Sequence, residues 1–239
     1  DPHPYYDSSA GCWHLFHGTW THSRTYDLIS YENLPRAFYP SHELGEDQLW
    51  SGGVTKNKDG TPMIIYTSVG WGRDAHDYSE VWGAFGSSDF ITWTKSRDNP
   101  FWTADGNNPF IWDWRDPYIF YDGRENAFML LGGNLGADGV VPIYRALNNG
   151  LTQWEQAGLF IDPEPAGNIE CPFMFYQNGK WCLGLSTGRA TEYVTGTFDS
   201  STATFTTHYR GWIEPNRDFM YAPSVASVSS SGRVVLWGM

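Results

Sequence analysis

The chain has 239 residues and a formal net charge of −12. This charge argues against nucleic acids and anionic membranes as partners, because both bind basic surfaces, and no run of about 18 apolar residues is present to span a bilayer. Aromatic residues make up 17% of the chain and accompany 26 glycines and 14 prolines, a composition that favours short strands and tight turns. Apolar residues at helical spacing are not found, so the sequence predicts an all-β protein.

Three segments of the chain resemble one another and each ends on an aromatic residue. They are Tyr26–Tyr31, Ser88–Trp93 and Asn149–Trp154. Their last residues are about 60 residues apart, and a regular spacing of this kind indicates a repeat architecture. A weaker copy ends at Phe205. A four-stranded blade with its loops fits this period, so the repeat predicts a β-propeller, with a two-sheet sandwich as the structural alternative.

The repeat divides one domain, residues 1–239, into successive blades. We predict blades over roughly 1–45, 46–110, 111–165 and 166–212, and a partial blade over 213–239. After Tyr221, Val234–Trp237 is the remaining strand-like run. The sequence therefore predicts a five-bladed β-propeller whose last blade is incomplete.

Three acidic residues share a local pattern, in which a proline stiffens the neighbouring backbone and an aromatic-rich strand follows. They are Asp1, Asp116 within Arg115-Asp116-Pro117, and Glu170 within Glu170-Cys171-Pro172. The inner strands of a propeller converge on one channel, so these acids are expected to meet there. Like charges raise the pKa of one carboxyl while a guanidinium keeps another ionised, as glycoside hydrolysis requires. The alternative is that the acids are unrelated loop caps and that Arg115 and Asp116 form a surface ion pair.

Cysteines and histidines are weaker candidates for function. The three cysteines have no Cys-x-x-Cys spacing, so neither a zinc site nor a complete disulfide framework is predicted. Cys171 and Cys182 are candidates for a hairpin disulfide, with reduced core thiols as the alternative. His14, His17 and His22 follow strand faces without a matching carboxylate pattern, which favours sugar contacts or core positions over a metal site.

Together, these motifs resemble the catalytic propeller of glycoside hydrolase family 32, the invertase, inulinase and levanase group. The first residues, Asp1-Pro2-His3-Pro4 and Trp13–His17, resemble the family's N-D-P-N-G motif and the Y-H-L-F-Y-Q strand after it. Further matches are Trp20–Tyr31 to W-G-H-A-x-S-x-D-L-x-x-W, Trp50–Gly53 to S-G-S, Arg115–Pro117 to R-D-P and Glu170–Pro172 to E-C-P. Asp218–Ala222 resembles D-F-Y-A, and Arg233–Met239 resembles R-R-x-x-W-G-W.

This resemblance implies a retaining β-fructofuranosidase that releases terminal β-D-fructofuranosyl residues from sucrose or fructans, with fructosyl transfer as a second outcome. By the resemblance, Asp1 is the nucleophile, Glu170 the general acid/base, and Asp116 the residue that binds fructosyl hydroxyls and steadies the transition state. The implied sugar contacts are Arg115, Trp50, Ser51, His17, Trp20 and Tyr221. No cofactor and no metal are implied, and the expected partner is a small sugar or an oligosaccharide.

The chain departs from the family pattern at several positions. His3 replaces an asparagine, His17 replaces a glutamine and Gly53 replaces the last serine of S-G-S, changes that bear on substrate choice. The C-terminal β-sandwich that usually follows the propeller is absent from this sequence. The stretch Trp71–Asp77 is predicted to be a loop at the pocket rim. We expect a secreted or extracellular protein, although no targeting segment is visible.

Two alternative functions are consistent with the sequence. The first is a related propeller glycosidase of the family 43 type, acting on arabinose or xylose and also built around three carboxylates. The second is a carbohydrate-binding propeller that has lost catalysis. The E-C-P form and the Trp20-Thr21-His22 segment favour a fructosidase over the pentosidase, whereas a Glu170→Gln variant is needed to separate an enzyme from the binding propeller.

Overall fold

The computed structural model describes residues 1–73, 79–103, 112–188, 190–214, 220–226 and 232–238. Within these ranges the chain is built of β-strands, turns and one short 3-10 helix, His42–Leu44, which confirms the all-β prediction. No helix in the described parts is long and apolar enough to cross a membrane.

Four sheets follow one another along the chain, each with its strands paired antiparallel in sequence order. The first contains β1 (Pro2–Asp7), β2 (Cys12–His17), β3 (Thr21–Thr25) and β4 (Glu32–Leu34). The second contains β5 (Glu46–Lys56), β6 (Pro62–Gly70), β7 (Ser79–Gly86) and β8 (Trp93–Lys95), with β9 (Trp102–Thr103) also paired to β7. The third contains β10 (Trp112–Tyr121), β11 (Ala127–Leu135), β12 (Asp138–Ala146) and β13 (Trp154–Ala166). The fourth contains β14 (Glu170–Gln177), β15 (Lys180–Ser186), β16 (Thr191–Asp199) and β17 (Thr204–Trp212).

The first strand of each sheet faces a common centre. Strand β5 packs against β1 and β10, and β10 packs against β14. A short strand, β18 (Ser224–Ala226), pairs with β19 (Val235–Trp237) and lies against both β1 and β14. This ring of inner strands confirms the β-propeller and excludes the two-sheet sandwich.

The predicted number of five blades is corrected to four. A blade of this propeller contains four paired strands, as in the sheets that begin with β1, β5, β10 and β14. After β17 the described residues form only the two-stranded sheet of β18 and β19. The sequence contained a strand-like run there, but the strand that it forms, β19, pairs only with β18 among the described residues.

The sequence repeat is a turn between the third and fourth strands of each blade. One residue of each copy has a left-handed backbone: Leu28 (φ 65°), Phe90 (62°), Leu151 (58°) and Ala203 (51°). Trp93 and Trp154 then donate from indole Nε1 to the carbonyl oxygens of Phe90 and Leu151, at 2.7 and 3.1 Å. Phe90, Leu151 and Ala203 are also buried. Packing within the blade therefore holds a left-handed backbone conformation that is unfavourable for residues other than glycine.

The core lies between neighbouring blades. One cluster joins the second and third blades through residues such as Met63, Val81 and Met129, and another joins the third and fourth through Leu130, Met174 and similar residues. Met129 and Leu130 are adjacent on β11 and belong to different clusters, so this strand is buried on both of its faces.

A buried ion pair fixes the connection between the first two blades. Glu46 is 1% exposed and pairs with Lys95, and it also accepts hydrogen bonds from Tyr66 Oη at 2.8 Å and the Ser41 N–H at 2.7 Å. Lys95 Nζ donates in addition to the carbonyl oxygen of Tyr39 at 2.7 Å. The pair therefore ties β5 and β8 to the segment that links the first blade to the second.

Replacing Lys95 with methionine is expected to lower the free energy of unfolding by about 3 to 5 kcal/mol, because it leaves the Glu46 carboxylate buried without its counter-charge. Urea unfolding followed by tryptophan fluorescence measures the loss. The double variant Lys95→Met/Glu46→Gln should recover much of the stability, since a neutral amide needs no counter-charge. Equal stability of Lys95→Met and the unmodified protein would contradict the structural role of the pair.

The cysteines are free in the structure. Cys182 on β15 lies opposite Phe175 on β14, whereas Cys171 is at the start of β14. The two thiols are therefore not neighbours across the hairpin, and of the two alternatives the reduced thiols are the one found.

Candidate active site

Residues from separate blades surround one cavity of about 300 Å³ at an end of the central channel. Its lining includes Asp1, Trp50, Arg115, Asp116, Glu170 and Tyr221. The acids predicted from the sequence to meet in a funnel are therefore brought together. Ser51 and Cys171 also lie in this lining.

The polar residues of the cavity lie where the inner strands lose their regular pairing. The register shifts between Leu49 and Gly52 on β5, between Trp112 and Tyr118 on β10, and between Glu170 and Phe173 on β14. Asp116 and Cys171 in these irregular stretches have φ values of 60° and 44°. β-Bulges redirect side chains, so the local backbone aims these groups into the channel mouth.

Arg115 connects the acidic groups of the site. Its Nη1 pairs with Asp113 Oδ1, its Nη2 pairs with Glu170 Oε1, and its Nε lies 3.7 Å from Asp116 Oδ2. The guanidinium also lies 5.7 Å from the centre of the Trp50 ring. Burial alone lowers the pKa of Arg115, but the three carboxylates outweigh it and raise the pKa above its usual value. Arg115 is therefore a fixed positive charge at the centre of the site.

Asp116 is held by backbone and thiol donors. It is 5% exposed, and its Oδ2 accepts the Cys171 N–H at 3.0 Å and lies 3.5 Å from Cys171 Sγ. Its own N–H donates to Thr67 Oγ1 at 2.8 Å. Burial raises the pKa of Asp116 above the usual value, while Arg115 and the Cys171 N–H oppose this increase. The carboxylate is thus oriented from two neighbouring strands.

Asp1 lies on the other side of the same thiol. Its Oδ2 accepts a hydrogen bond from Ser51 Oγ and lies 3.4 Å from Cys171 Sγ. Burial, together with the charges of Asp116 and Glu170, raises the pKa of the Cys171 thiol well above its usual value. Cys171 is therefore a neutral donor between two carboxylates.

Two predicted sugar contacts lie elsewhere. Trp20 is completely buried, stacks on His3 with ring centres 4.5 Å apart, and donates from Nε1 to the Trp50 carbonyl oxygen at 3.2 Å. It therefore supports the cavity wall from behind, because its indole is hydrogen-bonded to the backbone of Trp50, which is part of the lining. His17 is exposed at the end of β2, where Thr21 Oγ1 lies 3.0 Å from its Nδ1, and it is not in the cavity lining.

Several groups of the site were missed by the sequence analysis. Asp113 and the hydrogen-bonding role of Cys171 could have been suspected only from their closeness to Arg115 and Glu170 in the sequence. Thr67 and Thr19 carry no sequence signal, because they reach the site from other strands and loops. Of the predicted rim loop, Trp71 is 63% exposed, and residues 74–77 lie outside the described residues, as do residues 218 and 219.

In the ranges that the structure describes, no group of three or more His, Cys, Asp or Glu side chains is arranged to hold a metal ion. The histidines of the first blade form a pair instead. His14 Nδ1 lies 2.9 Å from His22 Nε2, both rings are buried, and His22 stacks on Phe16 with centres 4.1 Å apart. His14 and His22 are therefore core histidines, one of the two alternatives that the sequence left open.

The histidine pair predicts a loss of stability in acid. Burial lowers the pKa of His14 from 6.5 to about 4 and that of His22 from 6.5 to about 3. Below pH 6.5 the histidines of the unfolded chain take up protons, while the folded rings stay neutral. The free energy of unfolding is therefore highest above pH 6.5 and falls with decreasing pH until the folded rings also titrate. We expect a loss of roughly 1 to 2 kcal/mol per histidine between pH 7 and 5.

Urea unfolding at several pH values measures this effect. The double variant His14→Leu/His22→Leu should show a flatter dependence than the unmodified protein, whatever its absolute stability. The variant His208→Gln, at an exposed position on β17, is the matched control and should keep the original dependence. Identical slopes for the double variant and the unmodified protein would show that the pair does not contribute.

Comparison with known proteins gives a consistent result. The family model "Glycosyl hydrolases family 32 N-terminal domain" matches residues 3–239. The levanase of Bacillus subtilis is 27% identical over 273 aligned positions, covering 95% of this chain and 37% of the levanase. The fructan 1-exohydrolase of Hordeum vulgare is 26% identical over 242 positions, covering 92% of this chain and 40% of that protein.

Solved structures extend the comparison. The GH32 beta-fructofuranosidase BmSUC1 of Bombyx mori superposes with a TM-score of 0.82 at 25% identity, covering all of this chain and 54% of that one. A mutant of the same enzyme in complex with sucrose gives a TM-score of 0.80 at 26% identity, covering 99% of this chain and 54% of that one. The chain thus spans about 40% of the length of these curated relatives and about half of these structures. Since the family model matches almost every residue, the chain belongs to glycosyl hydrolase family 32.

Proposed function

We propose that this protein is a retaining β-fructofuranosidase that releases terminal fructosyl residues from sucrose or fructans, with transfer to a second sugar as an additional outcome. The observation that carries the proposal is the meeting of Asp1, Asp116 and Glu170 around one cavity. The names of the relatives, levanase and fructan 1-exohydrolase, and the sucrose complex of the Bombyx mori enzyme support fructosides as the substrate class. Family membership also favours this reaction over a family 43 pentosidase.

In the proposed first step, Glu170 gives its proton to the glycosidic oxygen while a carboxylate oxygen of Asp1 forms a bond to the anomeric carbon of the fructosyl unit. The bond from that carbon to the leaving oxygen breaks, leaving a fructosyl ester on Asp1. The Glu170 side chain is 26% exposed, so it can exchange protons with solvent, whereas that of Asp116 is 6% exposed.

In the second step, Glu170 takes a proton from water, and the water oxygen attacks the anomeric carbon. The ester bond to Asp1 breaks, fructose leaves, and both carboxyl groups return to their starting states. A sugar hydroxyl in place of water gives fructosyl transfer. This mechanism predicts that the two catalytic carboxyl groups lie roughly 5 to 5.5 Å apart in the substrate-bound protein.

The remaining residues of the cavity bind and orient the sugar in this proposal. Asp116 accepts hydrogen bonds from fructosyl hydroxyls and steadies the charge that develops on the ring. Arg115 keeps the acids in place through its ion pairs. Trp50 and Tyr221 offer aromatic surface to the C–H face of the sugar, and Ser51 orients Asp1.

The proposal is tested by measuring fructose release from sucrose, inulin and levan, with arabinan and xylan oligosaccharides as comparison substrates. Fructose released first as the β-anomer, observed by NMR, is expected for a retaining enzyme. Release of arabinose or xylose alone would favour the pentosidase, and sugar binding without any release would favour a carbohydrate-binding propeller.

A further proposal concerns the location of the whole protein. We propose that the protein is secreted, since fructans are too large to enter cells freely. Its detection only inside the producing cells would argue against secretion.

A further inference from the structure

A second, small cavity adjoins the candidate active site and has no role in the mechanism above. The lining of both cavities includes Asp1, Asp116 and Cys171, and the second also contains His3 and Gly52. The space that the centre of a water molecule can occupy there is about 10 Å³, which is enough for one water. Prolines and Ala222 form part of its wall, and the two carboxylates and the histidine provide the several polar partners that a buried water requires.

His3 presents an unpaired nitrogen in this place. The residue is 2% exposed, and its ring is fixed by stacking on Trp20 with an angle of 21° between the two planes. Its Nε2 is buried and has no hydrogen-bond partner among the residues that the structure describes. Burial lowers the pKa of His3 to about 3. The ring is therefore neutral, and in the tautomer that is protonated at Nδ1 the unpaired Nε2 is a hydrogen-bond acceptor beside the cavity that His3 lines.

We propose that one water molecule occupies this cavity and donates one hydrogen to His3 Nε2 and the other to the carboxylate of Asp1. Asp1 directly precedes β1 and His3 is the second residue of that strand, so the two side chains share one strand face. This inference rests on the proposed function, because it makes His3 a positioning residue for the nucleophile. The water orients the carboxylate and favours its ionised form, which is the form that attacks.

Other titratable or charged groups surround Asp1 and His3. They are Arg115, Asp116 and Tyr118 on β10, Glu170 and Cys171 on β14, and His17 on β2. Burial raises the pKa of both Tyr118 and Cys171, so neither is charged near neutral pH. Asp116 Oδ2 already accepts the Cys171 N–H, whereas the donors to Asp1 are a hydroxyl and a thiol. The additional hydrogen bond therefore matters more for Asp1 than for Asp116.

The test combines a crystal structure of the protein with pH profiles of kcat/KM for fructose release. The structure should contain a water within about 3.2 Å of both His3 Nε2 and an Asp1 carboxylate oxygen. The variant His3→Leu removes the acceptor, and we expect the acidic limb of its profile to move up by about one pH unit, as for loss of one hydrogen bond to a charged group. The variant His3→Asn restores an acceptor and should move the limb back toward its original position.

Tyr5→Phe, two residues further along β1, is the matched control and should leave the acidic limb unchanged. An empty cavity, or a water that does not contact Asp1, would overturn the inference even in an active enzyme. Equal shifts in His3→Leu and His3→Asn would also overturn it, because they would indicate a packing effect. If His3→Leu does not fold, His3→Asn and the crystal structure still decide. A protein that holds the water but releases no fructose would confirm the bridge and contradict both the proposed function and the positioning role.

Discussion

Replacing Glu170 with glutamine is expected to lower kcat for fructose release from sucrose by roughly 10²- to 10⁴-fold, the range that general acid–base groups contribute. The amide keeps the size of the side chain, and its carbonyl oxygen can still accept the Arg115 N–H that pairs with Glu170. It has no proton to give to the leaving oxygen. Sugar binding should therefore change little, which separates an enzyme from a carbohydrate-binding protein. Steady-state kinetics and calorimetric binding of sucrose make the two measurements.

A substrate with an acidic leaving group gives the control for this variant. An aryl fructoside that leaves as a stabilised phenolate needs no proton in the first step, so Glu170→Gln should form the fructosyl ester from it at close to the original rate. Glu155→Gln, an exposed substitution on β13, should leave both substrates unaffected. An unchanged kcat for sucrose in Glu170→Gln would show that Glu170 is not the general acid.

The β-propeller could be predicted from the sequence because each copy of the repeat forms a turn whose contacts are made within a few residues. Phe90 and Leu151 occupy the same turn in successive blades, and the tryptophan three residues later closes each turn with a hydrogen bond. Such a turn is determined within a few residues, so its period is visible in the sequence. The number of complete blades is not local, because it depends on whether β19 finds a further partner, and that prediction was wrong.

The residues of the site that could be predicted are those with a proline close by in the sequence. Proline follows Asp116 directly and Glu170 after one residue, and both acids reach the cavity as expected. Trp20 was expected in the pocket from the family resemblance, but it is completely buried and stacks on His3. The position of the Cys171 thiol between two carboxylates was not predictable, because it results from a bulge on β14 meeting residues of two other strands.

Replacing Asp1 with asparagine is expected to have a still larger effect, a decrease of about 10⁴-fold or more in kcat, because the residue that forms the covalent bond is lost. Asparagine can still accept from Ser51 Oγ, the donor that holds Asp1 in the cavity. The geometry is therefore kept while the nucleophilic charge is removed. A factor of 10⁴ corresponds to about 5.5 kcal/mol of transition-state stabilisation. Kinetics with sucrose and with the aryl fructoside measure the decrease.

The two substrates distinguish Asp1→Asn from Glu170→Gln. Loss of the nucleophile slows the first step for every leaving group, so Asp1→Asn should be inactive toward sucrose and the aryl fructoside alike. Asp59→Asn, an exposed substitution in the turn between β5 and β6, is the matched control and should retain full activity. If Asp1→Asn instead kept its activity toward the aryl fructoside while Glu170→Gln lost it, the assignment of the two carboxylates would have to be exchanged. The roles therefore follow from the pattern of four rates, and no single loss of activity is enough to assign them.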